Sequence, residues 1–256
     1  MRTVFLVAAV ILAIATPIAV FAVRNDQRTV LWHVVQLCVA DQVENGRPRP
    51  CALVDLKDGT RGGYVVLDDP FSRSQYLVMP TRQLSGIESP EIAENDAPNY
   101  WEDAWRSRSF VTRRLRTSLP RDGVGLAVNS SFDRSQDQLH IHVDCLQPDV
   151  RQLLDAHVGE IGTTWKQLAF DLEGRRYWSR RVEGADLLGV NPFRLLAEWV
   201  NRTGGVMWKE TLVVAGVKLS DHHDGFVLLA DAADPAHGAR GHGESLLDHS
   251  CSLVKS

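Results

Sequence analysis

The sequence has no excess of basic residues: 28 Lys and Arg stand against 32 Asp and Glu, which gives a net charge of -4 and a pI near 6.1. Domains that bind long polyanions usually have a basic face and a pI above about 9. This composition therefore excludes nucleic acid as the expected partner. The cysteines also lack the C-x-x-C spacing of structural metal sites. We expect neither a metal ion nor an organic cofactor.

The N-terminus has a long stretch without charge, from Thr3 to Val23, between Arg2 and Arg24. Its length matches the roughly 20 apolar residues that a membrane-spanning helix needs. It also exceeds the ~7–15 residues of a signal-peptide core. These lengths favour an uncleaved anchor over residues 1–26, carrying a single domain over residues 27–256. A cleaved signal peptide, with small residues near Val20 to Ala22, is the alternative.

The four cysteines are Cys38, Cys51, Cys145 and Cys251. An even number in a chain with an export signal predicts disulfides. Cys38 and Cys51 flank a loop containing proline and glycine, which suits a local bond and leaves Cys145 to pair with Cys251. Four buried thiols are the alternative. If the disulfides form, the domain lies in an oxidising compartment outside a bacterial inner membrane.

The apolar periodicity predicts an α+β domain built around an antiparallel sheet. The predicted strands are 62–68, 75–80, 124–128, 138–144, 165–168, 176–182, 210–215 and 226–230. The predicted helices are 27–39, 99–118, 148–158 and 192–200. The second half either extends the first sheet or repeats its pattern. The tail from Asp231 onward is predicted to be loose apart from Cys251.

The strand around His140 alternates strictly, with Leu139, Ile141 and Val143 on one face. The other face carries Gln138, His140, His142 and Asp144. Two histidines at i and i+2 therefore stand side by side, within reach of one ligand. Asn129 and Ser130 end the preceding strand, and Gln136 lies in the loop between the two strands. A half-exposed strand whose histidines only face water is the alternative interpretation.

This strand resembles the H-φ-H-φ-H-φ-φ signature of the histidine-triad superfamily, whose members cleave or transfer nucleoside monophosphates. Over residues 1 to about 230, the chain more closely resembles bacterial CDP-diacylglycerol pyrophosphatase. The similarity extends to the anchor and the cysteines. The matching segments, in order, are Gly63-Tyr64-Val65-Val66-Leu67, Gln75 to Thr81, Glu88-Ser89-Pro90, Leu126 to Ser130, Leu139 to Cys145, Pro148 to Arg151, Arg180-Arg181-Val182, Pro192-Phe193 with Leu196-Ala197-Glu198, and Phe226 to Ala230.

The resemblance implies a histidine-triad-like antiparallel sheet with flanking helices, preceded by one transmembrane helix. It implies a hydrolase that cleaves CDP-diacylglycerol to CMP and phosphatidate through a covalent histidine–CMP intermediate, without a metal. The implied location is the bacterial inner membrane, with a single pass and the catalytic domain in the periplasm. A transferase that passes CMP to another acceptor is one alternative. A non-catalytic, membrane-tethered binding module is the other.

Only two of the three triad positions are histidine, and this leaves the register open. In the register Gln138-His140-His142 the nucleophile is His140, and in the register His140-His142-Asp144 it is His142. Relatives of the superfamily that keep the first two histidines favour the second register. Both histidines are expected to be catalytic. The residues expected to bind the substrate or orient the imidazole are Asn129, Ser130, Gln136, Gln138 and Asp144.

Overall fold

The computed structural model of the chain describes residues 27–219 and 223–254. In this part of the chain, ten strands form one sheet. They are β1 (Leu53–Asp55), β2 (Tyr64–Asp68), β3 (Tyr76–Pro80), β4 (Val124–Val128), β5 (Ile141–Leu146), β6 (Lys166–Gln167), β7 (Trp178–Glu183), β8 (Glu210–Lys218), β9 (Asp224–Ala232) and β10 (Leu247–Asp248). The α-helices are α1 (Val30–Asn45), the single turn α2 (Gly59–Gly62), α3 (Tyr100–Leu115), α4 (Pro148–His157) and α5 (Pro192–Thr203).

None of the helices in the described residues is long and apolar enough to cross a membrane. The predicted anchor, residues 1–26, lies outside those residues.

The two long surface helices begin at asparagine caps. The side chain of Asn99 accepts a hydrogen bond from the amide of Glu102 at the start of α3. Asn191 does the same for the first amides of α5, where Pro192 occupies the first turn. A cap satisfies amides that have no partner inside the helix, and proline there loses no bond. Both predicted helix starts are therefore confirmed within one residue.

The strand order is β1-β2-β3-β5-β4-β8-β9-β7-β6, every neighbouring pair is antiparallel, and β10 pairs with the end of β5. The order contains one pattern twice. Read towards the centre of the sheet, the order β2-β3-β5-β4 in the first half corresponds to the order β6-β7-β9-β8 in the second half. A helix separates the two hairpins in both halves: α3 in the first and α5 in the second. The second half thus both extends the first sheet and repeats its topology, and the halves join where β4 pairs with β8.

One face of the sheet is covered by α3 and α5. Their aromatic side chains meet each other and the sheet, with Trp101 centred 5.0 Å from Phe193 and Trp105 centred 4.8 Å from Phe226. The sheet residues in this core include Leu126 on β4 and Val143 on β5. Such dense aromatic packing fixes the position of the central strands.

The opposite face is covered in two separate pieces. Helix α1 packs on β2 and β3 through residues that include Val35, Val65 and Met79. Helix α4 and the C-terminal segment pack on β8 and β9, with Leu154 and Leu246 among the buried residues. The second face of β5 lies between these two clusters. A polar group on this face of β5 therefore has an apolar cluster on either side of it.

The tail is more ordered than the sequence predicted. Residues 234–254 carry two short 3₁₀ turns and β10, and Leu246, Leu247 and Cys251 are buried. The prediction of a loose tail was therefore wrong. The segment shows no long apolar period, because it docks through a few separated side chains and a short pairing with β5.

The two predicted disulfides, Cys38–Cys51 and Cys145–Cys251, are both present. The first ties α1 to the segment before β1, and the second ties β5 to the tail.

Replacing both Cys38 and Cys51 by serine should lower the free energy of unfolding by about 3 kcal/mol on the chain-entropy model. Denaturant unfolding of the double variant measures this loss. Removing Cys145–Cys251 should cost more, since that bond closes a longer loop, and it should also lower activity. Four free thiols in protein taken from cells would contradict the bonds.

Candidate functional site

The predicted alternation of the histidine strand is confirmed. Leu139, Ile141 and Val143 lie in the core under α3. His142 stands on the other face, opposite Leu77 of β3 and Ala127 of β4. His140 directly precedes β5 on that face. The alternative interpretation, a half-exposed strand whose histidines only face water, is wrong, because every residue of β5 is buried. The tail places Glu244 and His249 on the face that alternation alone would leave to solvent.

His140 is held by its own strand. Its Nδ1 lies 2.7 Å from the backbone oxygen of Gln138. A carbonyl oxygen only accepts hydrogen bonds, so Nδ1 carries the proton and Nε2 keeps the lone pair. Burial, with a contribution from His142, lowers the pKa of His140 to about 4. The ring is therefore a neutral base at pH 7 with a fixed tautomer.

The ring of His142 stands next to it, with the two centroids 4.9 Å apart and the planes at 71°. Its Nδ1 lies 3.0 Å from Oε1 of Glu244. The approach is not aligned for a hydrogen bond. In the described part of the chain, neither ring nitrogen of His142 has a well-aligned partner, and both nitrogens are shielded from solvent. The carboxylate provides the closest charge to this ring.

Glu244 comes from the tail, and several donors surround it. Its Oε1 accepts from Nε2 of Gln75 at 2.9 Å, and its Oε2 accepts from Nδ2 of Asn129 at 3.1 Å. Its amide donates to Oδ1 of Asn129 at 3.1 Å. Burial alone would raise the pKa of Glu244, but His142, His249 and Gln75 outweigh it and hold the pKa well below its usual range. The group is a fixed carboxylate beside His142.

Asp144 is completely buried and faces the tail. Its carboxylate accepts from Oγ of Ser74 at 2.5 Å and from Nδ1 of His249 at 2.9 Å. Burial raises the pKa of Asp144, and the contacts with His249 and Ser74 oppose this rise. Hydrogen bonds to Asp144 and Glu244 raise the pKa of His249 to about 10. The charged His249 thus bridges the carboxylates of Asp144 and Glu244.

Of the remaining predicted residues, one contacts a group of the site and the others bind the backbone of other segments. Asn129 contacts Glu244 directly. Ser130 is bound to the tail, with its Oγ 2.5 Å from the backbone oxygen of Arg240. Gln138 donates to the backbone oxygens of residues 80 and 82 at 3.1 Å, and Gln136 contacts the backbone at residues 27 and 31. The side chain of Gln138 is thus committed to the backbone at the end of β3, and that of Gln136 to the backbone around the start of α1.

Sequence reasoning missed Gln75, Glu244 and His249. Gln75 stands just before β3, and the other two are about 100 positions from the histidines along the chain. The one signal that pointed to the tail was the pairing of Cys145, next to Asp144, with Cys251.

The fold places the chain among antiparallel α+β proteins, and its central strand presents two adjacent imidazoles. The sequence model of the CDP-diacylglycerol pyrophosphatase family matches residues 26–255. A relative from Yersinia pestis, named CDP-diacylglycerol pyrophosphatase, is 34% identical over 251 residues, which is 98% of this chain and 94% of the relative. The chain belongs to the CDP-diacylglycerol pyrophosphatase family.

Proposed function

We propose that His140 and His142 perform the family's reaction, the hydrolysis of CDP-diacylglycerol to CMP and phosphatidate, through a covalent histidine–CMP intermediate. The observation that carries the proposal is the hydrogen bond from Nδ1 of His140 to Gln138. It leaves a neutral imidazole with a lone pair on a known nitrogen. Such a group is a competent nucleophile towards phosphorus near pH 7.

The geometry supports His140 as the nucleophile, in the register Gln138-His140-His142. The sequence comparison favoured His142 for this role. Nδ1 of His142, however, lies 3.0 Å from Oε1 of the Glu244 carboxylate. An imidazole beside a fixed carboxylate suits proton transfer. We therefore assign proton transfer to His142, with Glu244 as its positioning partner.

The proposed reaction has two displacements. Nε2 of His140 attacks the cytidylyl phosphorus, an N–P bond forms, and the P–O bond to phosphatidate breaks with its electron pair on the bridging oxygen. Water then attacks the same phosphorus, the N–P bond breaks, and CMP leaves. The proton that water loses passes to His142. The proposal uses no metal ion or organic cofactor.

The other predicted site residues take supporting roles in this proposal. Asn129 fixes Glu244, and Asp144 fixes His249 and the tail. Ser130, Gln136 and Gln138 hold the loop that leads into His140. The fold is accordingly proposed to be histidine-triad-like, with a repeated unit. A membrane anchor over residues 1–26, a periplasmic domain over residues 27–256 and an inner-membrane location remain part of the proposal, and the two disulfides support the oxidising compartment.

Hydrolysis in ¹⁸O-labelled water tests which phosphorus is attacked. Attack at the cytidylyl phosphorus should place the label in CMP and none in phosphatidate, because the second displacement joins the water oxygen to the cytidylyl group. Mass spectrometry of both products measures the distribution. Label in phosphatidate would contradict a histidine–CMP intermediate, while the family's overall reaction would stand.

The acid limb of the pH profile should lie unusually low. The pKa of His140 is lowered to about 4 from the ordinary 6.5, so the nucleophile stays unprotonated until the pH falls below about 5. We expect kcat/KM, which reports the free enzyme, to persist through pH 6 and to fall near pH 4. Circular dichroism over the same range controls for unfolding. A limb at pH 6.5 in folded protein would contradict the assignment.

A further inference from the structure

Three apolar side chains from two neighbouring segments are partly exposed. Phe132 is 37% exposed, and Val206 and Trp208 are each 41% exposed. The rings of Phe132 and Trp208 contact each other, with centroids 5.1 Å apart. We call Phe132 and Trp208 the aromatic patch. Exposed apolar patches rimmed by polar residues are found at protein and membrane interaction sites.

Backbone contacts join the aromatic patch to the loop that leads to His140. The amide of Ser131 donates to the backbone oxygen of Trp208 at 3.0 Å. The amide of Phe132 donates to Oγ of Ser130 at 3.2 Å. Asn129, the neighbour of Ser130, holds Glu244 against His142. Only a few residues therefore separate the patch from the groups that face the imidazoles.

The border of the patch carries cations. Nζ of Lys209 lies 5.4 Å from the centre of the Trp208 ring, and the guanidinium of Arg240 donates to the backbone oxygen of Phe132 at 2.7 Å. Asp133 offsets part of this charge, because it pairs with Arg240 and with His242. Glu210 does not cancel Lys209, since burial raises the pKa of Glu210 to about 8.

We propose that the aromatic patch docks on the surface of an anionic phospholipid bilayer and sets the catalytic site over its lipid substrate. Aromatic rings are favoured at the boundary between headgroups and acyl chains. Basic neighbours add attraction to anionic headgroups. The substrate of this family is itself a lipid, so its acyl chains stay in the bilayer while its pyrophosphate reaches the site. The inference rests on the proposed catalytic role of His140.

Variants of the full chain test the docking. Trp208→Ala and Phe132→Ala should each lower kcat/KM by about tenfold when CDP-diacylglycerol is presented in vesicles containing phosphatidylglycerol. On monomeric dihexanoyl CDP-diacylglycerol, which needs no bilayer, both should match the unmodified protein.

A second tryptophan provides a matched control. Trp178 is 36% exposed and also lies 5.1 Å from another ring, that of Trp199. It stands on β7, and β4, β8 and β9 separate this strand from β5. Trp178→Ala should leave activity on both substrates unchanged.

Fluorescence gives a readout that does not depend on turnover. Vesicles of brominated phosphatidylglycerol should quench the emission of the full chain. The conservative variant Trp208→Phe should lose part of the quenched signal, whereas Trp178→Phe should keep it. This comparison also covers the case in which an alanine variant fails to fold.

Three outcomes would overturn the proposal. An equal loss on both substrates would place Trp208 against the nucleotide. Unchanged activity on vesicles, or no quenching of Trp208, would remove the bilayer as the occupant and leave a second copy of this chain to be tested by mass photometry. If the unmodified protein hydrolyses neither substrate, this result would instead contradict the proposed catalytic site.

Discussion

Replacing His140 by alanine should reduce kcat by at least about a thousandfold, because losing a covalent nucleophile removes the route through two easier displacements. The same change at the neighbouring histidine, His142→Ala, should leave slow turnover, since solvent can partly replace a proton-transfer group. Steady-state rates with CDP-diacylglycerol measure both effects. His157→Ala serves as the control, because that histidine pairs with Glu160 at the surface.

Trapping the intermediate separates the two registers. Rapid quenching with substrate labelled in the cytidylyl group should leave an acid-labile labelled adduct on the unmodified protein and on His142→Ala. His140→Ala should carry no label. An adduct on His140→Ala, together with its absence from His142→Ala, would contradict our assignment and make His142 the nucleophile.

Replacing Glu244 by glutamine should lower kcat by about a hundredfold, the lower range for loss of proton-transfer assistance. The change keeps the size of the side chain but removes the charge that faces His142 at 3.0 Å. KM should change little, because Glu244 contacts protein groups rather than substrate in this assignment. The raised pKa of His249 should also fall, since it depends on Glu244 and Asp144. Kinetics and NMR titration of His249 measure the two effects.

The chain offers a matched control for this substitution. Glu160 lies 2.9 Å from Nδ1 of His157, also a glutamate–histidine pair, but its side chain is 64% exposed. Glu160→Gln should leave kcat and stability near those of the unmodified protein, as for most exposed pairs. A Glu244→Gln variant that folds normally and retains full kcat would contradict the role of Glu244.

Strand positions and strand faces were predicted correctly where a periodic pattern ran over several residues. Strand 124–128 was predicted at its observed limits, and the alternation through Leu139 and His142 assigned both faces of β5 correctly. β1 and β10, strands of three and two residues, were missed, although the two-residue β6 fell inside the predicted strand 165–168. The cysteine pairing was predictable because only three pairings exist for four cysteines.

The electrostatics of the site could not be predicted in this way. Alternation placed Asp144 beside the histidines, but the approach of His249 from the tail decides what this carboxylate does. The same limit applies to Gln138, whose amide donates to the backbone oxygens of the last residue of β3 and of residue 82 just beyond it. Period-two patterns assign a face and say nothing of the segment that will cover it.

Because the two halves of the sheet repeat one topology, their residues can be compared row by row. Across the first half, Leu77, His142 and Ala127 stand in one row, and across the second half Ser179, Leu229 and Val213 stand in the matching order. A single chain links the two halves, so their junction forms at a fixed effective concentration and does not weaken on dilution. The second half therefore carries no imidazole at this row and still supports the half that does.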